Sequence, residues 1–422
     1  MRRHQAAWIP AAGVVSGKFA ARMVAPEARA ARVTVRSGER HQRIYGCGGI
    51  LSVPAYARLS EAGKRRWFEL LAEYNLLLQR EYPNGYRLKK DLTNFDVLAD
   101  ASPHYYGDNF PNGEISDFDF SRRLRAIGGK VLFQFWAFPE WMRKEHRDAD
   151  GKVYAQAPDV DEYVRAVVGY CEQAQSKAGA PPEVVGVQNE VVQPAEVWHE
   201  MVLKLRAGLD AAGFRDVKIH MPDDSQLKGG IRNALALRRR EEVWKKIDWA
   251  ATHVYDFQEY FEDPDGYDAL IREWKEAVGA KPFLSTEFTV NRNQYQANGY
   301  RVAFAMAQLY HKNMALMDAS ALIYCWSLLD VEQASFGGTR SLFVADRSRG
   351  GMPVTSSHQA RVFGAYSRRL REGMVRVGTE VAGDGLLATA YEGEGGRRTV
   401  VLTNRGTAPL AVTVDWPGAG FR

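Results

Sequence analysis

The sequence predicts an α/β fold: a (β/α)8 TIM barrel carrying a small side β-sandwich assembled from strands at both ends of the chain. Three observations lead there. Short apolar, β-rich runs recur eight times through the middle of the chain, each followed by a segment of helical pattern. The runs are continuous rather than alternating, as parallel strands buried on both faces require. At both ends the helical pattern stops and short β-branched runs replace it.

The eight runs occupy residues 44–49, 75–80, 131–136, 184–190, 217–221, 249–255, 283–288 and 321–328. After the first, Trp67, Leu70, Leu71 and Tyr74 fall on one helical face. Residues 159–177 carry the third helical pattern, closed by Gly179 as a C-cap. Residues 297–317 carry the seventh, apolar along one side. Strands alternating with helices predict a parallel sheet, and eight such units predict a closed barrel. Residues 31–36 read as a strand before the barrel, and 386–391, 398–403 and 410–414 as strands after it, separated by turn residues such as Asn404-Arg405-Gly406. The division expected is an N-terminal segment, 1–43, a barrel, 44–371, and C-terminal strands, 372–422. Gly420-Phe421-Arg422 show little sign of a further strand, which leaves the expected sandwich short of a closing one.

Composition narrows the function classes. The chain has 422 residues, 45% hydrophobic and 25% charged, an ordinary globular balance. No apolar run is long enough to span a membrane. The net charge of +5 comes from scattered Lys and Arg, and Arg238-Arg239-Arg240 sits beside Glu241-Glu242, so a solvated face is expected rather than a nucleic-acid partner. Cys47, Cys171 and Cys325 are far apart, which argues against a cysteine zinc site or a disulfide framework and for buried thiols. Gly46-Cys47-Gly48-Gly49 lacks the spacing of a phosphate loop, so no cofactor is expected from it. Arg2-Arg3 and the apolar stretch 6–15 weakly resemble a secretory leader interrupted by Pro10, which tilts localisation toward secreted or periplasmic and leaves cytoplasmic open. Ten Trp residues suit either a large core or a sugar-stacking cleft.

Barrel sites lie at the C-terminal ends of the strands. The residues there are Arg80 on strand two, Trp136 on three, Asn189 and Glu190 on four, Asp223 and Asp224 after five, His253 and Tyr255 on six, Glu287 on seven and Trp326 on eight. Two of these end apolar strands with a carboxylate, which is costly to bury without a partner: Glu190 and Glu287. Strands four and seven face one another across a barrel mouth, so both carboxylates can reach one bond. Glycoside cleavage uses such a pair, one carboxylic acid protonating the leaving oxygen and the other carboxylate attacking the anomeric carbon or activating water. In that reading Arg80 keeps Glu287 ionised, Tyr255 hydrogen-bonds it, Asn189 binds a sugar hydroxyl, and Trp136 and Trp326 wall the sugar. Plainer readings stand beside these. The two tryptophans suit a core, Asp223 and Asp224 suit a turn or helix cap, and His253 suits a satisfied barrel histidine.

With these residues in place, the chain resembles the clan of retaining glycoside hydrolases whose barrels carry an Asn-Glu acid/base on strand four and a Glu nucleophile on strand seven. Within it the likeness is to family 30. Residues 31–50 resemble that family's leading strand and Gly-rich first barrel strand, and QFWAFPEWM at 134–142 is similar to its strand-three motif. GVQNE at 186–190 matches the acid/base strand and Ser285-Thr286-Glu287 the nucleophile strand, so the resemblance implies those roles for Glu190 and Glu287. Residues 357–377 resemble the passage from the last barrel helix to the side β-sandwich. The chain departs from the family at Cys47, where an aromatic is expected, at Phe138-Pro139-Glu140, and in the loop that follows Arg80. These departures surround the pocket, so the sugar does not carry over. The resemblance implies a retaining O-glycosyl hydrolase cleaving β-glycosidic bonds of a polysaccharide or glycoconjugate.

Two other classes compete. One is a non-catalytic carbohydrate-binding barrel, against which the presence of both carboxylates and Arg80 counts. The other is a metal-dependent barrel hydrolase using His220, His253, Asp224 and Glu287, whose spacing lacks the usual grouping of ligands. The basic residues Arg80, Arg87 and Arg143 near strand ends hint at an acidic sugar such as a uronic acid. The long loop 81–114, rich in Tyr, Asn, Asp and Pro, is expected to wall one side of the site.

Overall fold

The structure is a computed structural model, and it describes residues 12–14, 29–50, 55–56, 59–81, 88–95, 117–155, 157–290, 299–330, 340–346 and 353–418. Eight parallel strands close into a barrel: β1 Gly46–Ile50, β2 Leu78–Glu81, β3 Lys130–Gln134, β4 Val184–Gly186, β5 Lys218–Pro222, β6 Trp249–His253, β7 Phe283–Phe288 and β8 Ala319–Tyr324. Each expected run contributes one strand. Several ladders stop early, notably β4 at Gly186 and β8 at Tyr324, leaving Asn189, Glu190 and Trp326 on irregular backbone just beyond. Most of loop 81–114, all of the leader-like stretch except Ala12–Val14, and residues 419–422 lie outside the described residues.

Helices α1 Glu61–Tyr74, α2 Asp117–Ala126, α3 Val160–Ala178, α4 Ala195–Ala211, α5 Leu227–Arg238, α6 Asp268–Val278, α7 Gly299–Ala315 and α8 His358–Ser367 alternate with the strands. Their ends follow from capping chemistry. Ser60 accepts from the Gly63 amide to start α1, and Asn75 at φ 53° ends it. Asp159 accepts from the Asp161 and Glu162 amides to start α3, and Gly179 at φ 90° ends it where a side chain would be strained.

The interior of the barrel is a packed core rather than a pore. Ile50, Leu78, Leu132, Val184, Ala251, Leu284, Ala321 and Ile323 meet there in one cluster. The tryptophans divide as composition allowed: Trp67, Trp198 and Trp274 are buried in the layers between barrel and helices.

The ends of the chain join in one mixed sheet. Its order is Ala12–Val14, Arg398–Asn404, Leu386–Glu392, Val375–Ala382, Arg29–Arg43 and Leu410–Asp415. Among the described residues this is one six-stranded mixed sheet, assembled from N- and C-terminal strands as expected. Arg29–Arg43 runs antiparallel to Val375–Ala382 and parallel to Leu410–Asp415. Tyr391 and Val401 of this sheet share a core cluster with Tyr310 of α7 and Tyr366 of α8, which fixes it to the barrel wall. Among the described residues no helix is long and apolar enough to cross a membrane.

Candidate active site

At the C-terminal mouth of the barrel, a single guanidinium gathers the polar groups. Arg80 is fully buried on β2. Its Nη1 donates to Glu287 Oε2 at 2.7 Å. Its Nη2 donates to Gln134 Oε1 and Asp223 Oδ2, both at 2.7 Å, and to Asn189 Oδ1. A buried arginine is tolerated only with such partners. Gly186 makes room for the arrangement, since a Cβ there would run into the side chains of His220 and Gln134.

Glu287 receives a second donor, the Tyr255 hydroxyl at 2.6 Å on Oε1. Strand alternation alone does not explain how it faces inward. The register of β7 shifts between Ser285 and Phe288, and both Thr286 and Glu287 turn into the barrel. Glu190 stands opposite at φ 55°, a left-handed conformation rare for a residue with a side chain. Its amide donates to the Asp223 carbonyl at 3.1 Å. Its side chain is 20% exposed against 7% for Glu287, so the two carboxylates differ in access to solvent.

His253 lies between them. Its Nδ1 is 2.8 Å from Glu190 Oε1, and its Nε2 is 3.5 Å from Asp223 Oδ1 and 3.7 Å from Glu287 Oε2. Burial disfavours its charged form, but the carboxylates of Glu287 and Asp223 outweigh burial and raise its pKa to about 10. At neutral pH it is an imidazolium whose Nδ1 hydrogen-bonds Glu190 and whose Nε2 faces the Asp223 and Glu287 carboxylates as an ion pair. Burial opposes the charge on Asp223 too, but Arg80 and His253 hold its carboxyl well below the usual range. Burial pushes the Tyr255 hydroxyl up, and the nearby Glu287 carboxylate pushes it further, so it stays a donor.

The structure brings Arg80, Asn189, Glu190, His253, Tyr255 and Glu287 together at the barrel mouth. Trp326 is buried just past β8, and Trp136 is half-buried just past β3. Asp224 goes elsewhere and corrects the expectation. Its Oδ1 accepts from the Gln226 amide at 3.1 Å and its Oδ2 from Asn233 Nδ2 at 2.9 Å, which ties it to the start and body of α5. The inward carboxylate is its neighbour Asp223, which the sequence placed at the mouth beside Asp224 and for which a turn or helix cap was the plainer reading. The left-handed φ of 55° at Asp223 turns the chain so that the first of the two aspartates, not the second, faces the mouth. Among the basic residues near the strand ends, Arg80 is committed to this cluster and Arg143 donates to the Phe138 carbonyl at 2.8 Å. Arg87 lies outside the described residues.

The proposed metal set does not assemble. His220 and Asp224 are not part of any grouping with His253 and Glu287 that offers cation ligands, whereas Glu190, His253 and Glu287 place one donor atom each within 4.8 Å of one another. That trio has carboxylate and imidazole donors, but Arg80 already occupies one oxygen of Glu287 and the imidazole carries its proton. A cation there would have to compete with both. The arrangement instead suits proton transfer and nucleophilic attack.

No family model matches the sequence, and no curated protein matches it. Solved structures do resemble it. SrfJ from Salmonella typhimurium superposes with a TM-score of 0.70 at 18% identity, over 94% of this chain and 91% of its own. An endo-β1,6-glucanase gives 0.68 at 17% identity, over 93% and 90%. A GH30 endoxylanase from Clostridium papyrosolvens gives 0.65 at 15% identity, over 92% and 88%. At these identities the likeness establishes the fold: the barrel and side sheet of this chain resemble those of glycoside hydrolase family 30.

Proposed function

We propose that this protein is a retaining glycoside hydrolase acting on β-linked polysaccharide or glycoconjugate, with Glu190 as acid/base and Glu287 as nucleophile. The observation that carries the reading is the approach of the two carboxylates, with oxygens within 4.8 Å of each other. Retaining enzymes hold their carboxyl groups about 5–5.5 Å apart, and inverting enzymes leave about 6.5–9.5 Å for a water.

In the first step a Glu287 oxygen forms a bond to the anomeric carbon. The glycosidic C–O bond breaks, and its electron pair takes the proton from Glu190. In the second step water attacks the anomeric carbon as Glu190 takes its proton, and the ester bond to Glu287 breaks. The anomeric configuration is retained through two inversions. Arg80 and Tyr255 hold both Glu287 oxygens, fixing the carboxylate plane for attack. Asn189, oriented by Arg80, presents its amide end as a candidate donor to the sugar 2-hydroxyl. Half-buried Trp136 and buried Trp326 are candidate walls for the sugar face.

Two of the fold neighbours are an endoxylanase and an endo-β1,6-glucanase, which makes xylan and β1,6-glucan the first substrates to try. The test is hydrolysis of those glycans and of aryl β-glycosides, with Glu287→Ala and Glu190→Ala in parallel. Turnover with retained product configuration, lost in both folded variants, is expected. Azide is expected to rescue Glu287→Ala with an inverted glycosyl azide. Near-normal turnover by either variant would overturn the assignment. Tight glycan binding with no turnover of any substrate would favour a non-catalytic barrel.

A further inference from the structure

We propose that Asp223 is a positioning residue whose negative charge keeps the cluster at the barrel mouth neutral both before and after glycosyl transfer, and so keeps the acid proton on Glu190. The proposal rests on the hydrolase reading above.

Five ionisable side chains meet at the mouth: Arg80, Asp223, His253, Glu287 and Glu190. The reactive form that the hydrolase reading requires has Arg80 and His253 positive, Asp223 and Glu287 negative, and the acid proton on Glu190. The charges cancel. In the glycosyl–enzyme, Glu287 has lost its charge to an ester while Glu190 has lost its proton to the leaving oxygen, and the charges cancel again. Without Asp223, both states carry one uncompensated positive charge in a buried site, where the cost of charge is greatest.

The geometry supports this role for Asp223. Its side chain is completely buried. Oδ2 accepts from Arg80 at 2.7 Å, and Oδ1 accepts from the Thr286 hydroxyl and faces His253 Nε2 at 3.5 Å. Its backbone reaches the acid/base directly, for its carbonyl accepts the Glu190 amide at 3.1 Å while its own amide donates to the Ala251 carbonyl at 2.9 Å. One residue therefore orients the guanidinium, the imidazolium and the backbone of Glu190.

The other titratable groups around the cluster add no charge. His220 on β5 is fully buried and neutral, with its pKa pushed down to about 4 by burial. Tyr255 beyond β6 and Cys325 beyond β8 are held in their neutral forms by burial. Gln134 and Asn189 contribute dipoles only.

The test begins on ligand-free protein with ring-nitrogen NMR titration of histidine, the His253 signal being assigned by its loss in His253→Gln. Wild type is expected to hold the imidazolium through pH 8. Asp223→Asn is expected to release that proton at least about one pH unit lower, because a neighbouring opposite charge is worth roughly 1–3 units. Asp223→Glu, which keeps the charge, is expected to hold it. On whichever glycan the wild type cleaves, the alkaline limb of kcat/KM is expected to move to lower pH in the Asn variant and return in the Glu variant. An unmoved His253 titration in Asp223→Asn, or equal displacement in the Asn and Glu variants, overturns the proposal. If Asp223→Asn does not fold, the double variant Asp223→Asn/His253→Gln, which removes one charge of each sign, is expected to fold. Failure of both overturns the neutrality account. The NMR arm needs no substrate, so lack of turnover in the wild type would count against the hydrolase reading and not against the charge balance.

Discussion

Arg80 and Glu81 are neighbours on β2, both buried, and they are satisfied in opposite ways. Arg80 points into the barrel, where two carboxylates and two amides receive it. Glu81 points outward between α2 and α3, where among the described residues two hydroxyls donate to it: Ser121 at 3.0 Å and Tyr170 at 2.9 Å. Burial dominates there and raises the Glu81 pKa to about 7 despite those two donors. The inner face of the strand thus spends charge on a site, while the outer face holds a carboxylic acid that the packing prefers neutral.

The comparison can be broken most severely at Arg80. Arg80→Met strands Glu287 and Asp223 as buried anions, so a loss of about 3–5 kcal/mol in denaturant unfolding and no measurable turnover are expected. Retention of wild-type stability would mean that the cluster tolerates uncompensated charge. Glu81→Gln tests the outer face, and its sign follows from the raised pKa. The fold binds the Glu81 proton more tightly than the unfolded chain does. Its contribution to stability is full in acid and falls as pH rises from the ordinary 4.5 through about 7. The total is on the order of 3 kcal/mol. Glu81→Gln is therefore expected to gain on the wild type in thermal unfolding between pH 5 and pH 8. A constant difference across that range would remove the buried acid. Tyr255→Phe takes one donor from Glu287 and leaves Arg80 in place. A drop of roughly 10–100-fold in kcat is expected, the worth of a hydrogen bond to a charged group at about 1.5–3 kcal/mol. Asp224→Ala, the smallest change, removes the turn at the start of α5 and costs about 1 kcal/mol. A loss of turnover far beyond that cost would return Asp224 to the site.

Much of this was legible before the structure. Eight apolar runs announce a parallel barrel because buried strands cannot afford polar interruptions, and a carboxylate at the end of such a run is conspicuous for the same reason. Glu190 and Glu287 were found on that ground. Sequence did not separate Asp223 from Asp224, and alternation along β5, with Ile219 and Met221 in the outer core cluster, would point position 224 inward. The left-handed backbone at Asp223 cancels that rule, and no residue type in the Asp-Asp pair signals it. The inward turn of both Thr286 and Glu287 likewise depends on a register shift between neighbouring strands, which one strand's sequence does not encode. Strand Val375–Ala382 was missed because Gly378 and Glu380 interrupt its apolar pattern and its long partner lies at the other end of the chain.

That last pairing constrains how the protein is made. During synthesis, Arg29–Arg43 leaves the ribosome before any barrel strand, yet both its neighbours in the sheet, Val375–Ala382 and Leu410–Asp415, come after the last one. For nearly the whole of translation this long strand has both backbone edges unmatched, a state that invites pairing between nascent chains. The charged residues at Arg36, Glu39, Arg40 and Arg43 along it are suited to discourage such pairing until the native partners arrive.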